Sequence, residues 1–307
     1  SSDLVVRRKG RFNAPAVTIG ADVVEGDHPA ELKHDAIRLM QIALGNVGPG
    51  SKAAPAFDGY TPRIDLSKHE RLLDPIRIRM TKAYPTGNAT VDYELARLLS
   101  MLEPFNSKLL TKILTKITSD SHPTTDLHYL IVAARIPTTR DSQQREAIAK
   151  GLIGLNAKLK ARNLNLDSNW DPRLTELYKT LIEYDPLLPD ALVEQPSFGR
   201  PGHVVYLSRL PAALLPKAVE AFAKQITKDD EYQWSHEVVF VFEGSENAKH
   251  RALVRDQFDN FGVRNAVLVV LSKKPAFMDQ AKFIAGLESG RIEVVDACAT
   301  ALADLPS

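Results

Sequence analysis

The sequence holds a single cysteine, Cys298, in 307 residues. No internal disulfide is therefore possible, nor any thiolate zinc cage or C-x-x-C-H haem attachment within this chain. No apolar run reaches the roughly 18 residues of a membrane-spanning helix, and no secretory leader pattern opens the chain. A net charge of +1 with dispersed basic residues gives no footprint for nucleic acid or an anionic membrane surface. No Gly-rich phosphate loop is present: GPGS at residues 48–51 lacks both the Lys-Ser/Thr and a preceding strand. No G-x-S-x-G turn presents a serine nucleophile. Cys298 itself sits on an apolar helical stripe and reads as a small buried hydrophobe.

What remains is an ordinary folding composition, 44% hydrophobic and 25% charged, long enough for two domains or one elongated array. The opening Ser1-Ser2-Asp3 reads as the start of an excised piece. Residues 1–27 carry a basic knot (Arg7, Arg8, Lys9, Arg11) and then scattered Val, Pro and Gly, which predicts an extended lead-in. From Pro29, Leu32, Ala36, Leu39, Met40 and Ala43 recur at helical spacing, and Gly45 supplies a stop. Residues 46–66 form a long loop carrying Phe57 and Tyr60. Helices are predicted over 68–83 (kinked or split at Pro75), 91–102, 106–118, 122–137, 141–162 with Asp141 or Ser142 as cap, and 172–184. Beyond a Pro-dense stretch they resume at 212–227, 233–243, 247–258, 263–271, 277–287 and 294–302.

Two offsets suggest repetition. VRNAVLVVL (263–271) and VVDACATAL (294–302) superpose without a gap, placing Val263 on Val294, Ala266 on Ala297 and Leu271 on Leu302. Pro104 and Pro137, at a similar separation, close two successive apolar helices. Such periods belong to helical hairpins that bury their apolar faces by stacking. The predicted fold is all-α, an irregular α-solenoid of about fourteen helices with a right-handed superhelix. It divides into the lead-in (1–27), an N-terminal sub-array (28–185), a Pro-rich seam (186–211) and a C-terminal sub-array (212–307).

Three constellations stand out as candidate ligand or partner surface. His122, Asp126 and His128 form the densest group of titratable residues. A metal or acid–base role needs them to converge with groups from elsewhere. Otherwise Asp126 charges the first turn of a helix while His128 packs beside Tyr129. Trp170, after Asp167, Ser168 and Asn169, suits a sugar or peptide, or simply anchors a core behind a loop cap. Arg200 and His203 lie in the FGRPGH turn, where Gly199 and Gly202 permit positive φ. His34, His69, His236 and His250 stand singly and carry no assigned role. No coherent catalytic set emerges, and no cofactor is expected.

GVRNAVLVVLSKKP and SGRIEVVDACATALADLP resemble HEAT-type repeats, whose second helix tends to read V-R-x-x-A; the second segment has Val295 where that Arg would stand. TDLHYLIVAARIP, LNAKLKARNLNLDSNWDPRLTELY and PSFGRPGH together resemble the middle segment of large planctomycete-type multidomain proteins. Those proteins carry a propeller-like dehydrogenase domain, HEAT-like repeats and a C-terminal c-type cytochrome domain. The resemblance implies a non-catalytic helical scaffold, extracytoplasmic with its parent, whose partners are a protein or the neighbouring domains of the same chain. The absent C-x-x-C-H means that no haem ligand carries over. The alternative reading is a helical enzyme or ligand-binding domain with a site near the Pro-rich seam.

Overall fold

The structure is a computed structural model and describes residues 12–46 and 56–305. The basic knot, the turn at 48–51 and much of the 46–66 loop lie outside the described residues. Fifteen α-helices and four short 3-10 segments occur among the described residues, and no strand does. The all-α expectation is borne out. Two compact units divide the chain, Ser1–Leu192 and Val193–Ser307.

The first unit begins with a correction. Residues 14–25, expected to be extended, form helix α1 (Ala14–Glu25), capped by Asn13, whose Oδ1 accepts from the Ala16 amide at 3.1 Å. Pro15 suits the first turn. The apolar stripe is built from small residues (Val17, Gly20, Ala21, Val24), so α1 lies close against α2 (Ala30–Ala43). A Cβ on Gly20 would come within 2.4 Å of Met40 Cγ. Helix α3 (Glu70–Ala83) follows a 3-10 turn at Leu66–His69 and continues through Pro75, where a kink or split was expected; it is not split. Next come α4 (Ala89–Leu102), α5 (Ser107–Leu114), α6 (Pro123–Arg135), α7 (Ser142–Ala161) and α8 (Trp170–Tyr184). Local chemistry fixes their starts. Asn88 and Asn106 accept first-turn amides, and Asp141 and Gln144 close a reciprocal capping box.

Helix α2 packs on α4, α4 on α6 and α6 on α8, while α5 and α7 pack on α6 and on each other. The α4 side chains at this seam, Leu95, Leu98, Leu99 and Leu102, are fully buried. Each contributes about 1.5–3 kcal/mol relative to exposure.

Residues 186–211 hold α9 (Leu188–Val193) and a 3-10 segment at Pro201–Arg209. The second unit continues with a 3-10 turn (Ala212–Leu214), α10 (Leu215–Lys228) and α11 (His236–Phe240), the last much shorter than the predicted 233–243. Then follow α12 (Ala248–Arg255), α13 (Arg264–Ser272), a 3-10 turn (Phe277–Asp279), α14 (Gln280–Gly286) and α15 (Ile292–Ala303). Helices α13 and α15, the pair that superposes in sequence, pack directly on one another. Cys298 is fully buried there, and burial pushes its thiol up. A Cβ on Gly286 would lie 2.3 Å from Cys298 Sγ, so glycine is required for α14 to approach α15.

Candidate functional site

His122, Asp126 and His128 all lie on or beside α6, but they serve different neighbours. His122 caps the helix, its Nδ1 accepting from the Thr124 amide at 3.3 Å. Asp126, with no exposed surface, accepts from Ser121 Oγ at 2.5 Å and pairs with Lys158 of α7. A matching arrangement occurs in the preceding pair of helices. Asn88 caps α4 as His122 caps α6, and Asp92, like Asp126, is the fourth residue of its helix. Asp92 accepts from Thr86 Oγ1 at 2.8 Å and from Lys116 Nζ, just past α5, at 3.3 Å. The helix pairs α4, α5 and α6, α7 thus each carry one side-chain cap, one buried carboxylate and one closing lysine.

His128 faces the loop. Its Nδ1 lies 2.9 Å from Tyr60 Oη, and its ring stacks on Tyr93 at 3.6 Å with Tyr129 edge-on at 4.7 Å. Arg97 of α4 stands over Tyr60 at 5.1 Å. Burial, with Arg97 adding to it, holds His128 far below the usual imidazole range, at about 3. The unfolded chain therefore binds this proton near 6.5 and the folded chain does not until about pH 3. Stability from neutral His128 is complete above about pH 6.5 and is lost as pH falls toward 3, by up to about 1.4 kcal/mol per unit. His128→Gln is expected to flatten that part of the dependence, read from urea midpoints at about pH 4, 5, 6 and 7.

Trp170, Arg200 and His203, expected as a loop surface, lie at helix starts in separate units. Trp170 opens α8 half-buried, its amide donating to Asp167 O at 3.1 Å. In the second unit, His203 is fully buried, stacks on Phe198 at 5.7 Å, and accepts from the Arg200 amide at 3.2 Å. No group of three or more His, Cys, Asp or Glu able to hold a metal occurs among the described residues. No described helix is long and apolar enough to cross a membrane.

Two arrangements escaped the sequence reading. In the second unit, a cleft of about 650 Å³ between α10 and the start of α12 contains Ser245, His250 and Glu220. Ser245 Oγ lies 2.9 Å from His250 Nδ1, and His250 Nε2 lies 3.0 Å from Glu220 Oε2. The order of groups is that of a serine–histidine–carboxylate relay. His250 is also the third residue of α12, where a polar side chain reaching back closes the helix start. Glu220 is mostly exposed, so it orients the imidazole weakly.

The other arrangement is the course of residues 56–63 over one layer of helices. The Ala56 amide donates to Glu176 of α8 at 2.7 Å, and Phe57 lies under Arg135 of α6 at 5.9 Å. Tyr60 meets His128 of α6 through its hydroxyl, and its carbonyl accepts from Ser100 Oγ of α4 at 3.2 Å. The Arg63 amide donates to Leu44 O at the end of α2 at 3.0 Å. Gly45, at φ 97°, makes room for this seat, since a Cβ there would lie 2.9 Å from Arg63 Cβ. One short segment therefore touches α8, α6, α4 and the end of α2 in turn.

No protein-family model, curated protein or solved structure matches the chain.

Proposed function

We propose that the chain is a helical-repeat scaffold, an α-solenoid of HEAT-like hairpins that binds a protein partner or the neighbouring domains of its own parent. The observation that carries this reading is the match between the successive helix pairs α4, α5 and α6, α7, in which cap, buried aspartate and closing lysine recur together. Helices α2, α4, α6 and α8 pack each on the next, which supports a stacked succession. A role as the helical middle region of a multidomain redox, haem-containing protein rests on sequence resemblance alone.

Two measurements test this. A stacked array loses stability locally, so Gly286→Val, which drives a side chain into Cys298, is expected to abolish hydrogen-exchange protection in α13–α15 while leaving α4 and α6 protected. Uniform loss of protection across both units argues against a one-dimensional array. Native mass spectrometry of gently purified protein is expected to give the bare chain mass. A retained metal or organic cofactor, or labelling of Ser245 by a serine-directed phosphonate, would replace the scaffold reading with an enzymatic one.

A further inference from the structure

Residues 56–63 hold to their helices in a manner closer to a bound peptide than to a core element. The segment supplies three backbone hydrogen bonds to the helix layer, through the Ala56 amide, the Tyr60 carbonyl and the Arg63 amide. The remaining anchorage includes the Tyr60 hydroxyl at His128 Nδ1 and two aromatic rings three positions apart, Phe57 and Tyr60, each beneath an arginine. Residues 57–59 are only partly covered, whereas Tyr60 is buried.

The seat has hydrogen-bonding capacity that this segment leaves unused. Arg97 Nε and Arg135 Nε are buried and have no hydrogen-bond partner among the described residues, and both belong to residues that touch the segment. Buried polar groups of this kind are ordinarily satisfied. The nearest carboxylate of the segment, Asp58, turns instead to its own Arg63 at 3.1 Å. Glu94 stands 3.8 Å from Arg97 Nε, beyond hydrogen-bonding distance. Glu103 pairs with Arg135 through Nη2, the other end of the guanidinium. Among the described residues, both Nε–H groups therefore remain open donors.

We propose that residues 56–63 are an intramolecular occupant of a binding face formed by α4, α6 and α8. The competing ligand is an extended protein segment with two aromatic residues three positions apart and a carboxylate that meets the open Arg97 and Arg135 donors. This rests on the scaffold reading and names the face and the partner chemistry. Aromatic rings under guanidinium groups and carboxylates on Nε–H donors are the two contacts the seat rewards. A tethered occupant acts at millimolar effective concentration, so an outside segment binds weakly until the tether's own anchor is lost.

The probe is a fluorescein-labelled peptide of the segment itself, AFDGYTPR, against the full chain and its Tyr60→Ala variant. The peptide is expected to bind the variant at least tenfold more tightly than the unmodified chain and to raise its melting temperature. A control peptide with alanine in place of the tyrosine is expected to do neither. If Tyr60→Ala fails to fold, Phe57→Ala decides, because Phe57 is only half-buried; about threefold tighter binding is expected there. Equal binding to the unmodified chain and a folded variant, or equal binding of the control peptide, overturns the proposal. That failure would leave the bare native mass and the local loss of protection in α13–α15 unchanged, so the scaffold reading stands or falls separately.

Discussion

Replacing Lys158 with methionine is expected to destabilise the first unit by about 3–5 kcal/mol, the range for removing one partner of a buried ion pair. For a unit spanning Ser1–Leu192 this corresponds to a fall in melting temperature of about 10 °C. The asymmetry of the pair makes the prediction specific. Asp126 has no exposed surface, and without Lys158 its carboxylate retains only Ser121 among the described residues. The reverse change, Asp126→Asn, is milder, at about 1–2 kcal/mol, because Lys158 keeps the Thr118 carbonyl and Ser121 Oγ and is partly exposed. The double variant should recover part of the Lys158→Met loss, since the two changes act on one interaction. Hydrogen exchange in α6 and α7, alongside thermal melts, reads all three. A Lys158→Met melting temperature within about 2 °C of the unmodified chain would mean that the pair is dispensable.

Gly199→Ala is expected to cost the second unit about 4 kcal/mol or more, at the upper end of single-residue effects. Two causes coincide. Gly199 adopts φ 98°, a region L-residues occupy at a cost of about 1–2 kcal/mol. Its missing Cβ would also lie 2.5 Å from Ala221 O and 2.7 Å from the Phe222 nitrogen, backbone atoms of α10 that have no rotamer to change. The residue is pinned on both sides: Phe198 packs edge-on to Phe222 at 5.8 Å, and the Gly199 carbonyl accepts from Tyr232 Oη at 2.8 Å. Gly244 is the internal control, with φ 78° and no atom within 4 Å of its would-be Cβ. Gly244→Ala should therefore show the backbone cost alone, and the difference between the two variants measures the close approach. Equal urea midpoints would show that the approach at Gly199 relaxes freely.

The helices were legible where apolar spacing was strong and caps were near. Residues 91–102 and 263–271 read as helix from sequence and are helices α4 and α13, within a residue or two at each end. Helix α1 was missed because its buried positions are Ala, Gly and Val rather than Leu, so the periodicity is carried by size, not hydrophobicity. Asn13 followed by Pro15 was the available signal. The superposed C-terminal pair shows the limit of pattern alone. Leu268 is buried, yet its counterpart Ala299 is exposed. Helix α13 packs against α11, α12, α14 and α15, whereas α15 packs against α13 and α14. At the candidate face, His128 was singled out but its partner was not, because Tyr60 lies 68 residues away. Contacts that cross from Ala56 to Glu176, 120 residues apart, leave no trace in local spacing.

The placement of the two buried aspartates bears on how the two sites respond to change. Asp92 is neutralised by Lys116 and Asp126 by Lys158, so each helix pair closes its own charge without borrowing from the next. A change confined to one helix pair then leaves the buried ion of the other with its own partner, so the two sites are expected to fail independently.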